Sequence, residues 1–146
     1  MVGCGTFVGA RDERLINFNI MMESVSPNIF VYDIDATAAF YKKLGFDVAV
    51  TVPDDDGGLT FVMMTCGTAT FMFQTFRSIE GQHPVVRREN GGSLLLYVKM
   101  KNIRVFYERI KDTVTVVTPL EKTFYGATEF SIQDNNHYMV TFAEDE

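Results

Sequence analysis

The chain has 146 residues, 47% hydrophobic and 22% charged, which is enough for a packed core in one domain. Its net charge of −6 disfavours nucleic acid, which needs a clustered positive surface, and no run approaches the ~20 apolar residues of a membrane span. Two cysteines, Cys4 and Cys66, make no disulfide framework and suit a reducing, cytoplasmic setting.

Residues 1–22 show no clear period, and Arg11 to Arg14 interrupt any apolar core a signal peptide would need. They read as an N-terminal arm or upstream extension. Residues 23–146 read as a single domain with module one at 23–76, a linker at 77–92 and module two at 93–146. Ser26 to Asp33 forms the first strand. Asp33 or Asp35 caps the helix that follows, whose apolar residues Ala36, Phe40 and Leu44 recur every four positions. Gly45 supplies a left-handed stop. Phe46 to Val52 is the second strand, and the Pro53 to Gly58 cluster is a hairpin turn. Leu59 to Thr65 and Thr68 to Phe76 are the next two strands, joined tightly at Cys66 and Gly67, with Cys66 expected as a small core residue.

Arg77 to Gly92 is polar, contains Gly81, Pro84, Gly91 and Gly92, and breaks the pattern. Ser93 to Lys99 is a strand, and Asn102 caps a helix whose apolar residues are Ile103, Phe106 and Ile110. Val114 to Thr118, Phe124 to Ile132 and Tyr138 to Ala143 complete the order, with a turn at Gln133 to His137. The phrase Asp35 to Phe46 is thus echoed by Asn102 to Lys111. Each carries a Phe-Tyr pair, two charged residues and an aliphatic residue, and each follows an apolar strand. One strand, one helix and three strands, written twice, make an α+β pattern with helices on one face of each sheet.

This order resembles the vicinal oxygen chelate superfamily, which holds glyoxalases, extradiol dioxygenases, and fosfomycin- and bleomycin-resistance proteins. The resemblance runs from about Ser26 to Glu144. It rests on Val31 to Asp35 with Phe40 to Phe46, and on Tyr125 to Asp134 with Tyr138 to Glu144. The family usually writes the last turn Asp-Pro-Asp-Gly. Here it is Asp134 to His137, a departure at the Pro and Gly positions, where Asn tolerates unusual turn dihedrals. The resemblance implies two β-α-β-β-β modules whose open sheets curl around a shared cavity. In metal-using members, His and Glu ligands come from the first and fourth strands of each module. By position these fall on Ser26, on Gln74 (or Met72 if the register slips by two), on Ser93 and on Thr141. Neutral oxygens suit a divalent transition metal poorly. His83 lies in the linker and His137 in a turn. No metal, no cofactor and no catalytic residue is therefore expected.

Strand alternation extends these positions into a candidate ligand-binding face: Asn28, Phe30 and Tyr32; Met72, Gln74 and Phe76; Ser93, Leu95 and Tyr97; Met139 and Thr141. The opposite faces, Ile29, Val31, Leu94, Leu96, Val140 and Phe142, would pack under the helices. The first set is apolar and aromatic with a few hydrogen-bonding groups, as small-molecule pockets are. Three readings stay open. One is a metal-free small-molecule binding protein of the bleomycin-resistance kind, suited to a planar or cationic antibiotic-like ligand. The second is a lyase or dioxygenase with displaced metal ligands, or a metal-free variant in which Tyr125 and Glu129 are the available acid–base groups. The third is a structural or interaction module that fills its cavity with its own side chains. A homodimer is expected, because open sheets leave edges and apolar surface to cover.

Overall fold

The structure, a computed structural model, describes residues 20–81, 89 and 91–146. Cys4, His83 and nearly all of the expected N-terminal arm lie outside the described residues, as does much of the expected linker. The elements in chain order are β1 (Asn28–Val31), α1 (Ile34–Lys43), β2 (Asp47–Pro53), β3 (Leu59–Cys66), β4 (Ala69–Thr75), a 3-10 turn (Phe76–Ile79), β5 (Leu95–Lys99), α2 (Ile103–Ile110), β6 (Thr115–Lys122), β7 (Ala127–Gln133) and β8 (Met139–Asp145). They build two four-stranded sheets of matching topology, β1-β4-β3-β2 and β5-β8-β7-β6, with neither sheet closed. In each, the first strand runs parallel to the last and the other pairs are antiparallel. This is the α+β arrangement of two β-α-β-β-β modules that the repeated phrase predicts.

Alternation decides which strand face is buried. Ile29, Val31, Val62, Met64, Phe71 and Phe73 from the first sheet are all nearly inaccessible, as are Leu96, Phe130, Ile132, Val140 and Phe142 from the second. They join α1 and α2 in one continuous core. Each such fully buried side chain is worth about 1.5–3 kcal/mol relative to leaving it in water. Leu94 departs from expectation: it is 47% exposed because β5 begins one residue later, so the pleat does not yet fix its direction. Cys66 is likewise exposed rather than core, since it ends β3 at the edge of a tight turn.

The two helices are held differently. The Asp33 side chain accepts from the Ala36 N–H at 3.0 Å, and Gly45 turns the chain out of α1 at φ +98°. The buried stripe of α1 is Ile34, Thr37, Ala38, Phe40 and Tyr41, followed by Leu44. Ala36 points to solvent instead, because the stripe drifts with the 3.6-residue period and a strict spacing of four does not track it. Tyr41 is fully buried among the rings of Phe40, Phe46, Phe71 and Phe73. Asn102 stands at the start of α2 with φ +60° and makes no capping hydrogen bond, because a capping side chain needs extended backbone there. Glu144, reaching over from β8, accepts from the Ile103 N–H at 2.9 Å in its place.

The two halves meet through polar side chains set in apolar surroundings. The Tyr41 hydroxyl donates to Asp134 Oδ2 at 2.8 Å, and Asn136 Nδ2 donates to Thr37 Oγ1 at 2.9 Å. Tyr138 donates its hydroxyl to the Phe30 carbonyl at 2.9 Å. Asp134 Oδ1 also accepts from the backbone N–H groups of Asn136 and Tyr138, closing the β7–β8 turn on itself. That turn survives the missing Pro and Gly, but His137, not an Asn, takes the left-handed conformation, at φ +66°.

Candidate functional site

Pairing register carries each open-face residue to its neighbours, since partners across a ladder share a face. In the first sheet, Asn28 lies beside Met72, Met72 beside Met63 and Met63 beside Val50. The next row runs Phe30, Gln74, Phe61, Val52. In the second sheet the rows are Leu95, Met139, Gln133 and Tyr97, Thr141, Ser131. The face expected from alternation therefore assembles as two sets, one per sheet, with Asn28, Phe30, Met72 and Gln74 on one and Leu95, Tyr97, Met139 and Thr141 on the other. Phe76 follows β4 into the 3-10 turn, where its buried ring lies against Phe30 (centroids 6.1 Å apart) and Tyr32 (4.7 Å). Ser26 precedes β1 and Ser93 precedes β5, so the ladders fix neither side chain.

Six residues of these rows escape the sequence reading: Phe61, Met63, Val50, Val52, Ser131 and Gln133. Phe61 and Met63 lie at the centre of the first sheet's face, and Ser131 sits opposite Thr141. The signal for the first two was the alternation of β3 itself, Phe61, Met63, Thr65 against Val62 and Met64. Without a known pairing partner nothing said which of the two sets faced away from the helices.

The open face of the second sheet ends in a polar cluster. Tyr97 and Tyr125 both donate their hydroxyls to Glu129 Oε2, at 2.5 and 2.6 Å. The hydrogen bond to Glu129 pushes the Tyr97 phenol up to about 12 and raises that of Tyr125 as well. Both phenols stay protonated at neutral pH and act as donors. Two phenol rings flanking one carboxylate oxygen form a short acidic, aromatic wall. Tyr97 and Tyr125 are both about half exposed, so this wall is reachable from solvent.

The positions at which metal-using relatives of this fold carry ligands can be tested on their chemistry. Gln74 uses both ends of its amide: Oε1 accepts from Asn28 Nδ2 at 2.9 Å and Nε2 donates to Ser78 Oγ at 2.8 Å. Thr141 Oγ1 is 2.8 Å from Ser131 Oγ in a buried pair. With Ser26 and Ser93 these are neutral oxygens, two of them already engaged. Among the described residues no three of His, Cys, Asp and Glu converge as a metal-binding group. The donor set does not fit a divalent transition metal.

A separate groove of about 610 Å³ lies between the end of α1 and the β3–β4 turn on one side and β5 with α2 on the other. None of the expected ligand-binding residues lines it. No helix among the described residues is long and apolar enough to cross a membrane.

Known structures share this architecture. TioX from Micromonospora sp. ML1 matches with a TM-score of 0.68 and 15% identity, over 86% of this chain and all of that one. A protein of unknown function from Agrobacterium tumefaciens str. C58 matches with a TM-score of 0.68 and 25% identity, over 87% of this chain and 97% of the other. A glyoxalase/bleomycin resistance protein/dioxygenase from Nocardioides gives 0.69 and 14%, over 91% and 93%. At 14–15% identity such likeness shows the fold alone. No curated protein matches the chain significantly in sequence. The sequence profile of the Glyoxalase/Bleomycin resistance protein/Dioxygenase superfamily matches residues 22–142. With the paired modules and the profile match agreeing, the chain belongs to that superfamily.

Proposed function

We propose that the protein binds a small organic molecule on its open sheet faces without a metal. The observation that carries this reading is the state of the four metal-ligand positions: Ser26, Gln74, Ser93 and Thr141 offer neutral oxygens, and Gln74 and Thr141 spend theirs on neighbouring side chains. Phe30, Phe61, Met63 and Met72 supply apolar and aromatic contact, and the linked Asn28–Gln74 pair supplies orientation through the second N–H of each amide and the Asn28 carbonyl. The Tyr97–Glu129–Tyr125 wall favours a ligand with a cationic end, held by charge and by the faces of two phenol rings. A planar, partly apolar cation meets both requirements.

The same wall supports a second reading, metal-free acid–base catalysis with Tyr97 as proton donor. Glu129→Gln separates the two: a binder loses affinity for cations, whereas an enzyme loses turnover of a bound substrate.

The test is a thermal-shift screen over planar cationic antibiotics and small aromatic metabolites, followed by titration of the best compound. Phe30→Ala and Tyr97→Ala should each weaken its binding by about 1–3 kcal/mol. Elemental analysis of the dialysed protein should find no stoichiometric zinc, iron, nickel or manganese. One tightly held transition metal per chain, or no stabilising compound, sinks the reading.

A further inference from the structure

The groove between the two halves has a charge that the rest of the chain does not prepare for. The protein carries a net charge of −6, yet five cations line this groove, Lys42, Lys43, Lys99, Lys101 and Arg109, and none of the described residues lining it is acidic. Lys42 and Lys43 come from the last turn of α1; Lys99 and Lys101 flank the end of β5; Arg109 projects from α2. Lys99 is paired with Asp145 at 2.7 Å, and Lys43 Nζ donates to the Thr113 carbonyl at 3.4 Å. The side chains of Lys42, Lys101 and Arg109 have no hydrogen-bond or ion-pair partner among the described residues. The floor between the cations is apolar, built from Phe46, Ala69, Val98, Met100 and Phe106.

A second recess of about 330 Å³ shares Met100, Lys101, Phe106 and Arg109 with the groove, so the apolar floor runs on past the cations along α2. Both volumes fall within the ~300–1,000 Å³ usual for small-molecule sites. Unpaired cations around an apolar slot are complementary to one kind of ligand. It has a hydrophobic body to cover the floor and an anionic group, carboxylate or phosphate, to meet the lysines and the arginine.

We propose that this groove binds a small amphipathic anion, such as an aliphatic or aryl carboxylate, through Lys42, Lys101 and Arg109 at the rim and Met100 and Phe106 at the floor. The site shares no residue with the open-face site proposed above, so the two stand or fall separately.

Cys66 lines the groove and is exposed, which makes it a reporter. In a Cys4→Ser background it is the remaining thiol. Decanoate, decanol and decyltrimethylammonium, each below its micellar concentration at neutral pH, are titrated by calorimetry. The rate of Cys66 alkylation by N-ethylmaleimide is followed alongside. Decanoate should bind roughly tenfold more tightly than decanol, slow the alkylation, and weaken as salt is raised. The cation should not bind there. Lys101→Glu with Arg109→Glu, both exposed positions, should cost decanoate roughly tenfold and leave decanol unchanged. Equal affinity for decanoate and decanol, or an unaffected double variant, overturns the proposal. So does binding to anionic lipid vesicles or polyglutamate with none to monomeric decanoate, which would make the groove a membrane or peptide surface.

Discussion

Tyr41→Phe removes a single oxygen from the centre of the molecule and reads out how the two halves are joined. The ring keeps its packing, since its partners at 4.8–5.7 Å touch carbon only. What is lost is the donor to Asp134 Oδ2, a buried hydrogen bond to a carboxylate, worth about 1.5–3 kcal/mol. The cost depends on pH. Burial raises the Asp134 carboxyl above its ordinary 3.8, while the bonds from Tyr41, Asn136 and Tyr138 pull it down. A carboxyl with a raised folded pKa stabilises the fold below its unfolded value, and that contribution is lost as pH rises through the folded value. Tyr41→Phe deletes one of the lowering influences, raises the folded pKa further and so enlarges that loss. The penalty should therefore be smallest below the ordinary carboxyl value and grow as pH rises through the folded one. Urea unfolding followed by far-UV circular dichroism at several pH values gives the penalty and its growth. A penalty under about 0.5 kcal/mol at neutral pH, or one that does not grow from acid to neutral, refutes the picture of a charged, buried latch.

His137→Gly should stabilise the protein by about 0.5–1 kcal/mol at neutral pH, because His137 holds φ +66° at a non-glycine cost; an unchanged or lower melting temperature would count against this. Glu144→Ala should cost about 1 kcal/mol in urea unfolding by uncapping α2, whereas Asn102→Gly, which removes the side chain and suits φ +60°, should cost nothing, and the reverse order would return the cap to Asn102. We further propose a homodimer, motivated by the half-exposed Val50, Val52, Leu95 and Tyr97 on the open faces; light scattering at micromolar concentration should give twice the 16.5 kDa chain mass, and a monomer would contradict it.

The repeated Phe-Tyr phrase made the fold legible, because two copies of one pattern point to one architecture. The faces of β1 were legible because its alternation is plain: Ile29 and Val31 are buried, while Asn28 and Phe30 lie on the other face. Strand ends were less so. Leu94 and Cys66 are apolar residues one step outside the ladder or at its last rung, where alternation no longer decides burial. The Asn102 cap misled because residue type cannot reveal a left-handed backbone, nor a carboxylate arriving from a strand some forty residues on. Glu129 and Tyr125 were visible as candidates, but Tyr97 as their third member needed the register of β5 on β8 and of β8 on β7. The basic groove was illegible, since its five cations come from three elements of two halves in a chain of negative net charge.

The latch and the groove have a common origin in the length of two turns. In each half the turn between the last two strands projects toward the helix of the other half. Between β7 and β8 that turn runs from Asp134 to Tyr138, five residues, and reaches α1 to place Asp134 against Tyr41 and Asn136 against Thr37. Between β3 and β4 the corresponding turn is two residues, Gly67 and Thr68. It lines the groove opposite Phe106 and Arg109 but carries no carboxylate or amide to match the latch. Tyr107, the counterpart of Tyr41 in the repeated phrase, is accordingly half-buried, its ring against Phe130 and 5.9 Å from Lys111 Nζ. Two modules of matching topology are thus fastened on one side and leave a slot on the other through a difference of three residues in one turn. The cations then mark the open side, where the facing turn, Gly67 and Thr68, brings no carboxylate to pair with them.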